Sequence, residues 1–247
     1  MATTIDLTGR VVLVTGGGRG VGRGIVREFA DAGATVVICG RNEPEETAAE
    51  FIACDVREPD QVDAMVASVV ERHGRLDVTV NNAGGSPAAE AATASPRFSS
   101  AIVGLNLMAA LHVGQAANAV MQQQDDGGSI VNIGSVSGLR PSPGTAAYAA
   151  AKGGLIALTQ TLAVEWAPKV RVNMVTGGMI ATEQSELFYG DAAKQAAIAA
   201  TIPLQRFGTP SDVGNACVFL ASPLASYISG ANLVVHGGGE PPRYLDT

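Results

Sequence analysis

Short β-branched runs alternate with Ala-rich stretches from one end of the chain to the other. Runs at 11–15, 35–39, 51–54, 77–81, 129–133, 170–175 and 231–236 read as strands. Several are apolar at nearly every position, as strands covered on both faces must be. Stretches at 21–32, 58–73, 97–123, 146–167, 183–200 and 210–221 read as helices. Two of them carry start signals. Ser95-Pro96 offers a cap followed by a first-turn proline, and Thr209-Pro210-Ser211-Asp212 adds an acid at the third helical position. Pro168 stops the helix that runs through Trp166. Such alternation predicts right-handed βαβ crossovers and an α/β fold, a doubly wound parallel sheet with helices on both faces.

The 247 residues suit one domain over 1–247, long enough to bury a sizeable core unaided. No internal repeat, linker or low-complexity tract interrupts it, and the tail from Glu240 to Thr247 has no helical pattern. The longest apolar runs, such as Val11-Val12-Leu13-Val14, are strand-length and far short of a membrane span. Met1 to Thr8 holds no basic region followed by an apolar stretch, so a cytoplasmic location is expected. Cys39, Cys54 and Cys217 form neither a disulfide framework nor a zinc pattern. His73, His112 and His236 are scattered too, so no metal is expected. A net charge of −7 argues against nucleic acid or anionic membranes as partners.

The first strand runs into Thr15-Gly16-Gly17-Gly18-Arg19-Gly20-Val21-Gly22. Glycines let a pyrophosphate approach the backbone, and the following helix N-terminus favours its charge. A P-loop would need Gly-Lys-Ser/Thr after four intervening residues, and the frame from Gly17 gives Gly22-Arg23-Gly24 instead. The G-x-G-x-x-G spacing fails from every glycine in the turn. What remains is Thr-Gly-x-x-x-Gly-x-Gly on Gly16, Gly20 and Gly22.

That spacing resembles the short-chain dehydrogenase/reductase family, and the resemblance continues along nearly the whole chain. Asn81-Asn82-Ala83-Gly84 is similar to the family's sheet-stabilising and cofactor-lining motif. Asp55-Val56 resembles the pair that contacts adenine. Tyr148-Ala149-Ala150-Ala151-Lys152 matches Tyr-x-x-x-Lys, Ser135 lies thirteen residues before Tyr148 as the catalytic serine does, and Asn106 matches the fourth catalytic residue. Thr182 matches the residue that holds the carboxamide. One departure stands out: Asn173-Met174-Val175-Thr176-Gly177-Gly178 replaces the usual Asn-x-x-x-Pro-Gly, with Gly177 for proline. The resemblance implies a Rossmann-type three-layer α/β/α domain, with a cofactor-binding half over roughly 1–140 and catalytic and substrate-binding elements over 135–247.

Reducing a ketone takes a hydride on carbon, from the cofactor, and a proton on oxygen, from the protein. An unperturbed phenol titrates near about pH 10. The positive charge of Lys152, four residues on along the same helix face, and that of the oxidised nicotinamide are expected to lower the pKa of Tyr148. Ser135 would stabilise charge on the substrate oxygen. By resemblance, Asn106 would hold a water linking Lys152 to solvent. The second strand ends in Cys39-Gly40-Arg41, so glycine stands where NAD-preferring members carry an acid. Arg41 and Arg19 offer cations to a 2′-phosphate, which favours NADP(H) over NAD(H).

The cofactor-binding set is therefore Gly16, Gly18, Arg19, Gly20, Val21, Gly22, Arg41, Asp55, Val56, Asn82, Ala83, Gly84, Tyr148, Lys152 and Thr182. The segment from Met179 to Phe207 reads as the substrate lid, and Leu187-Phe188-Tyr189 gives it an apolar character. Expected substrates are a small alcohol or ketone, an acyl-CoA or a steroid-derived compound. A 3-oxoacyl-carrier-protein is the alternative, disfavoured because Asp125-Asp126 would repel an acidic carrier. A sensor or scaffold that binds NADP(H) without turnover is the competing function. Relatives imply a homotetramer or homodimer built on the helices at 97–123 and 146–167, and the tail at 240–247 is expected to pack on a neighbouring subunit.

Overall fold

The computed structural model describes residues 5–240. Seven strands form one parallel sheet: β1 (Val11–Thr15), β2 (Thr35–Gly40), β3 (Glu50–Ala53), β4 (Val78–Asn81), β5 (Gly128–Ser135), β6 (Val170–Gly177) and β7 (Asn232–Val235), in the order β3-β2-β1-β4-β5-β6-β7. Chain order reverses between β1 and β4, which opens a crevice above the carboxyl ends of those strands. The helices are α1 (Gly20–Asp31), α2 (Pro59–His73), α3 (Pro96–Val103), α4 (Ala109–Met121), α5 (Ala146–Glu165), α6 (Ser185–Tyr189), α7 (Ala192–Thr201) and α8 (Pro210–Ala221).

Two apolar clusters, one on each face of the sheet, explain the apolar strands. Leu13, Val37, Ile130 and Val172 meet residues of α2 and α4 on one face, while Val12, Val14, Ile38 and Val175 meet α1 and α8 on the other. Alternate residues of each strand point to opposite faces, so a strand buried on both must be apolar throughout. The start signals work as read. Ser95 accepts from the Phe98 N–H at 3.1 Å, and Thr209 and Asp212 form a reciprocal capping box. Cys39, Cys54 and Cys217 are buried free thiols.

Two helices differ from expectation. The helix at 97–123 is broken by a π-helical turn at Gly104–Met108, so α3 and α4 are offset by one inserted residue. The helix at 183–200 divides at Gly190, whose φ of 82° ends α6, and Asp191 caps α7 by accepting from the Lys194 N–H at 2.9 Å. Helix Pro96–Met121, taken whole, is long and apolar enough to cross a membrane by length and composition, whereas the apolar runs of the sequence were expected to fall short. Here it lies against the sheet, and Val113, Ala117 and Met121 belong to the core. The tail beyond Glu240 lies outside the described residues.

Candidate active site

Every strand at the crevice ends on a residue of the site. Thr15, Gly40, Asn81, Ser135 and Gly177 are the last residues of β1, β2, β4, β5 and β6. After Ser135 the chain makes a 3-10 turn at Val136–Gly138, capped by the Ser135 hydroxyl, which accepts from the Ser137 N–H at 3.2 Å. A side chain at Gly138 would come within 2.7 Å of the Lys152 carbonyl carbon, so glycine lets this turn rest on the first turns of α5. That contact brings Ser135 to Tyr148.

Tyr148 and Lys152 lie one helical turn apart on α5. Burial pushes the phenol above its ordinary pKa, and the neighbouring Ser135 side chain pulls it partly back. Lys152 is buried too, and burial lowers its pKa to about 8. Its ammonium donates to the Ile133 carbonyl at 2.7 Å and lies 5.7 Å from the centre of the Tyr148 ring. Without the charge of a cofactor, burial outweighs what lowers the Tyr148 pKa. The ammonium is drawn to a backbone acceptor and sits over the ring, while loss of hydration dominates at the hydroxyl.

Asn106 occupies the π-helical turn and is fully buried. Its Oδ1 accepts from the Gly85 N–H at 2.8 Å, and its Nδ2 donates to Gly85 O and Ile102 O, both at 2.9 Å. One amide hydrogen thus fixes the loop after β4 and the other bonds back to α3. A Cβ on Gly84 would collide with Asn106 Oδ1 at 2.6 Å and stand 3.4 Å from Lys152 Nζ, so this loop passes directly beside the lysine.

The glycine turn is clamped to that loop. Thr15 Oγ1 accepts from the N–H groups of Asn82 and Ala83, both at 3.0 Å, and Asn82 Nδ2 donates to Thr15 O at 2.9 Å and Gly16 O at 3.1 Å. A side chain at Gly22 would sit 2.3 Å from Gly16 O, which only glycine avoids. Gly16 and Gly20 adopt φ of 65° and 53°, and Gly18 lies under Pro44. Val21 follows at the start of α1. Asn81 and Asn132 join at 2.8 Å, and Asn132 reaches Thr159 of α5 at 2.9 Å, so a buried polar chain ties β4 and β5 to α5.

At the other end of the crevice, Arg41 and Arg19 face solvent and make no salt bridge among the described residues. Asp55 is engaged by Arg57 at 2.9 Å, which holds its carboxyl below the ordinary range, and the charge of Arg41 adds to this. Val56 is buried in the core behind it. Thr182 lies over the turn, its methyl carbon 3.7 Å from where a Cβ on Gly20 would stand. Gly177 is ordinary strand: a Cβ there would make normal contacts, 3.6 Å to Ile180 and 4.0 Å to Val213, so the missing proline has not distorted β6.

A nicotinamide dinucleotide fits these residues. A lysine ammonium has three donors, and Ile133 O accepts one, leaving two in a buried position for ribose hydroxyls. The glycine turn opens the amides of α1 to phosphates.

The comparisons with known proteins decide the family. A family profile described as enoyl-(acyl carrier protein) reductase matches residues 16–240. The chain belongs to the short-chain dehydrogenase/reductase family. Bovine (Bos taurus) L-fucose dehydrogenase is 37% identical over 97% of this chain and 93% of its own. The 3-oxoacyl-[acyl-carrier-protein] reductase of Chlamydia muridarum is 37% identical over 94% and 98%. Among solved structures, ligand-free aldohexose dehydrogenase of Thermoplasma acidophilum superposes with a TM-score of 0.91 at 35% identity over 96% of both chains. A gluconate 5-dehydrogenase of Burkholderia cenocepacia J2315, in complex with NADP and tartrate, gives 0.87 at 34% identity over 95% and 96%. As a short-chain dehydrogenase/reductase, the protein is an oxidoreductase acting on CH–OH groups.

Three features of this family member escaped the sequence reading. A cleft of ≈ 240 Å³ opens beside Val136, Gly178 and Met179, and Arg140, His236 and Glu240 line it. Arg140 pairs with Glu240. His236 follows β7, where position at a strand's carboxyl end was the available signal. In the segment expected to form the lid, Tyr189 stacks on Phe207 at 5.0 Å, while Leu187 and Phe188 are exposed and lie apart from the cleft lining. Finally, the Glu183 carboxylate reaches the glycine turn, where it accepts from the Gly20 N–H at 2.8 Å.

Asp126 pairs with Arg10 at 2.9 Å and Arg75 at 3.4 Å, and it and Asp125 precede β5, at the opposite end of the sheet from the site.

Proposed function

We propose that the protein interconverts a secondary alcohol and a ketone with NADP(H), acting on a sugar or a similar polyhydroxylated compound. The observation that carries the reaction type is the convergence of Ser135, Tyr148 and Lys152 at the carboxyl ends of the strands. A bound nicotinamide would give or take the hydride. Tyr148 gives or takes the proton of the substrate hydroxyl, at its phenolic oxygen. Ser135 stands beside that oxygen and supplies a second donor to the substrate oxygen as charge develops on it. Lys152 holds ribose hydroxyls with its spare donors, and its charge favours phenolate when the proton has left.

The cleft offers a few polar groups to a substrate. Arg140 and Glu240 offer opposite charges, and His236 adds a ring that donates or accepts. Val136, Leu139, Met179 and Ile202 make the rest of the lining apolar, so the choice of a sugar rests on the relatives. L-fucose, aldohexose and gluconate dehydrogenases among the relatives agree with this reading. The NADP(H) preference rests on Gly40 and Arg41, and the exposed Glu43, Glu45 and Glu46 in the same loop act against it. We also infer a homo-oligomer through helix Pro96–Met121, because only 33% of its apolar window is buried within the chain.

The test is a turnover screen with NADP+ and NAD+ on sugars and sugar acids, beside NADPH and NADH on 3-oxoacyl-CoAs, a 3-oxoacyl-carrier-protein and steroid ketones. Sugar turnover with NADP+ supports the proposal. A preference for acyl thioesters or steroids overturns the substrate class, and dinucleotide binding without turnover on any panel member overturns the enzymatic reading.

A further inference from the structure

Glu183 directly follows Thr182 on the strap between β6 and α6. Its Oε1 accepts from the Gly20 N–H at 2.8 Å, and its Oε2 lies 3.5 Å from Arg23 Nη2. Gly20 is the first residue of α1, and Arg19 adds a second positive charge that acts on the same carboxylate. Unpaired amides and the helix dipole favour an anion at such a place. These are the groups on which a dinucleotide's diphosphate would draw, and here the chain supplies the anion itself. Ahead of Glu183 the strap is tied down where Ala181 N–H donates to Gly208 O at 2.8 Å, and within it Thr182 N–H donates to Ser185 Oγ at 2.7 Å, a bond that spans Glu183.

We propose that Glu183 is a gate for the cofactor: in the free protein its carboxylate takes the place of the diphosphate on Gly20, and binding exchanges one anion for the other. The exchange frees the strap that carries Thr182, so lid rearrangement follows cofactor arrival. It also weakens the holo state relative to a chain without the carboxylate, which speeds release of the spent dinucleotide. The inference rests on the reading that the chain binds a nicotinamide dinucleotide, but not on the choice between NADP and NAD, because both carry the diphosphate.

The experiment uses the full chain, E183A and E183Q. Dissociation constants for NADPH and NADH are measured by nucleotide fluorescence, adenosine binding by calorimetry, and amide exchange over residues 16–22 in the free proteins. E183A is expected to bind both dinucleotides about five- to twentyfold more tightly, the size of one charge-assisted hydrogen bond no longer in competition. E183Q, which keeps an acceptor but not the charge, falls between. Adenosine binding stays unchanged, and exchange over the turn accelerates in E183A. Unchanged or weaker dinucleotide binding in both variants overturns the gate, as does equal tightening of adenosine. If the NADP reading fails instead, NADH becomes the tighter ligand in all three proteins while the effect of Glu183 persists.

Discussion

At the scale of single residues, the site is governed by how deeply each group is buried. Lys152 ordinarily titrates near 10.5, and its folded value is about 8. Between these values the unfolded chain holds a proton that the folded one lacks, so stability rises with pH across that window. Below it both states are protonated and the burial penalty is complete. Wild type is therefore expected to gain stability relative to Lys152→Met between about pH 7 and about pH 10, read as the difference of their unfolding midpoints. A constant difference would show that the lysine is not desolvated. Arg41→Ala should weaken NADPH about ten- to hundredfold and spare NADH, because a charge-assisted bond contributes about 1.5–3 kcal/mol. Gly40→Asp has room, with nothing nearer its Cβ than 3.7 Å, and adding it should turn the preference to NADH. The ratio of kcat/KM for the two cofactors in wild type and both variants is the measurement; a ratio unmoved by Arg41→Ala would make that arginine a solvated surface charge. The residue types and their spacings were legible in the sequence. The direction of the pKa shifts was not, since a motif states which groups meet and not how much water they lose.

At the scale of elements, most boundaries followed from apolar periodicity and caps, and α8 matches its expected span at both ends. The π-helical turn was hidden because one inserted residue in an Ala- and Leu-rich stretch leaves the periodicity nearly intact. The break in the lid was legible in principle, since Gly190-Asp191 joins a helix-ending glycine to a capping acid. The joint between β1 and the loop after β4 depends on one buried hydroxyl, Thr15 Oγ1, with three hydrogen bonds. Thr15→Val keeps the shape and strands two amides. It is expected to cost about 2–4 kcal/mol, at about 1–2 kcal/mol for each of the two part-buried amides, the lower part of the range for an unsatisfied group. That corresponds to a midpoint lower by roughly 5–15 °C for a chain of this size, and thermal unfolding would show it. A midpoint within about 2 °C of wild type would mean that water replaces the hydroxyl.

At the scale of the whole molecule, the strand order sets the place of the site. Reversal between β1 and β4 leaves one crevice, and the last residues of five strands converge around it. This much followed from the strand–helix alternation and the motif order. The cleft lined by Arg140, His236 and Glu240 did not, because Arg140 lies far along the chain from the segment of the other two and only the finished fold brings them together. The central claim is that this crevice holds an oxidoreductase centre in which Tyr148 moves the proton. Tyr148→Phe removes that hydroxyl and almost no volume, so the measurement is kcat for the best substrate of the screen, beside the dissociation constant of NADPH. The account predicts a fall in kcat of at least about a hundredfold, the lower range for a positioned proton donor, with NADPH affinity nearly unchanged. Turnover close to wild type in Tyr148→Phe would contradict it.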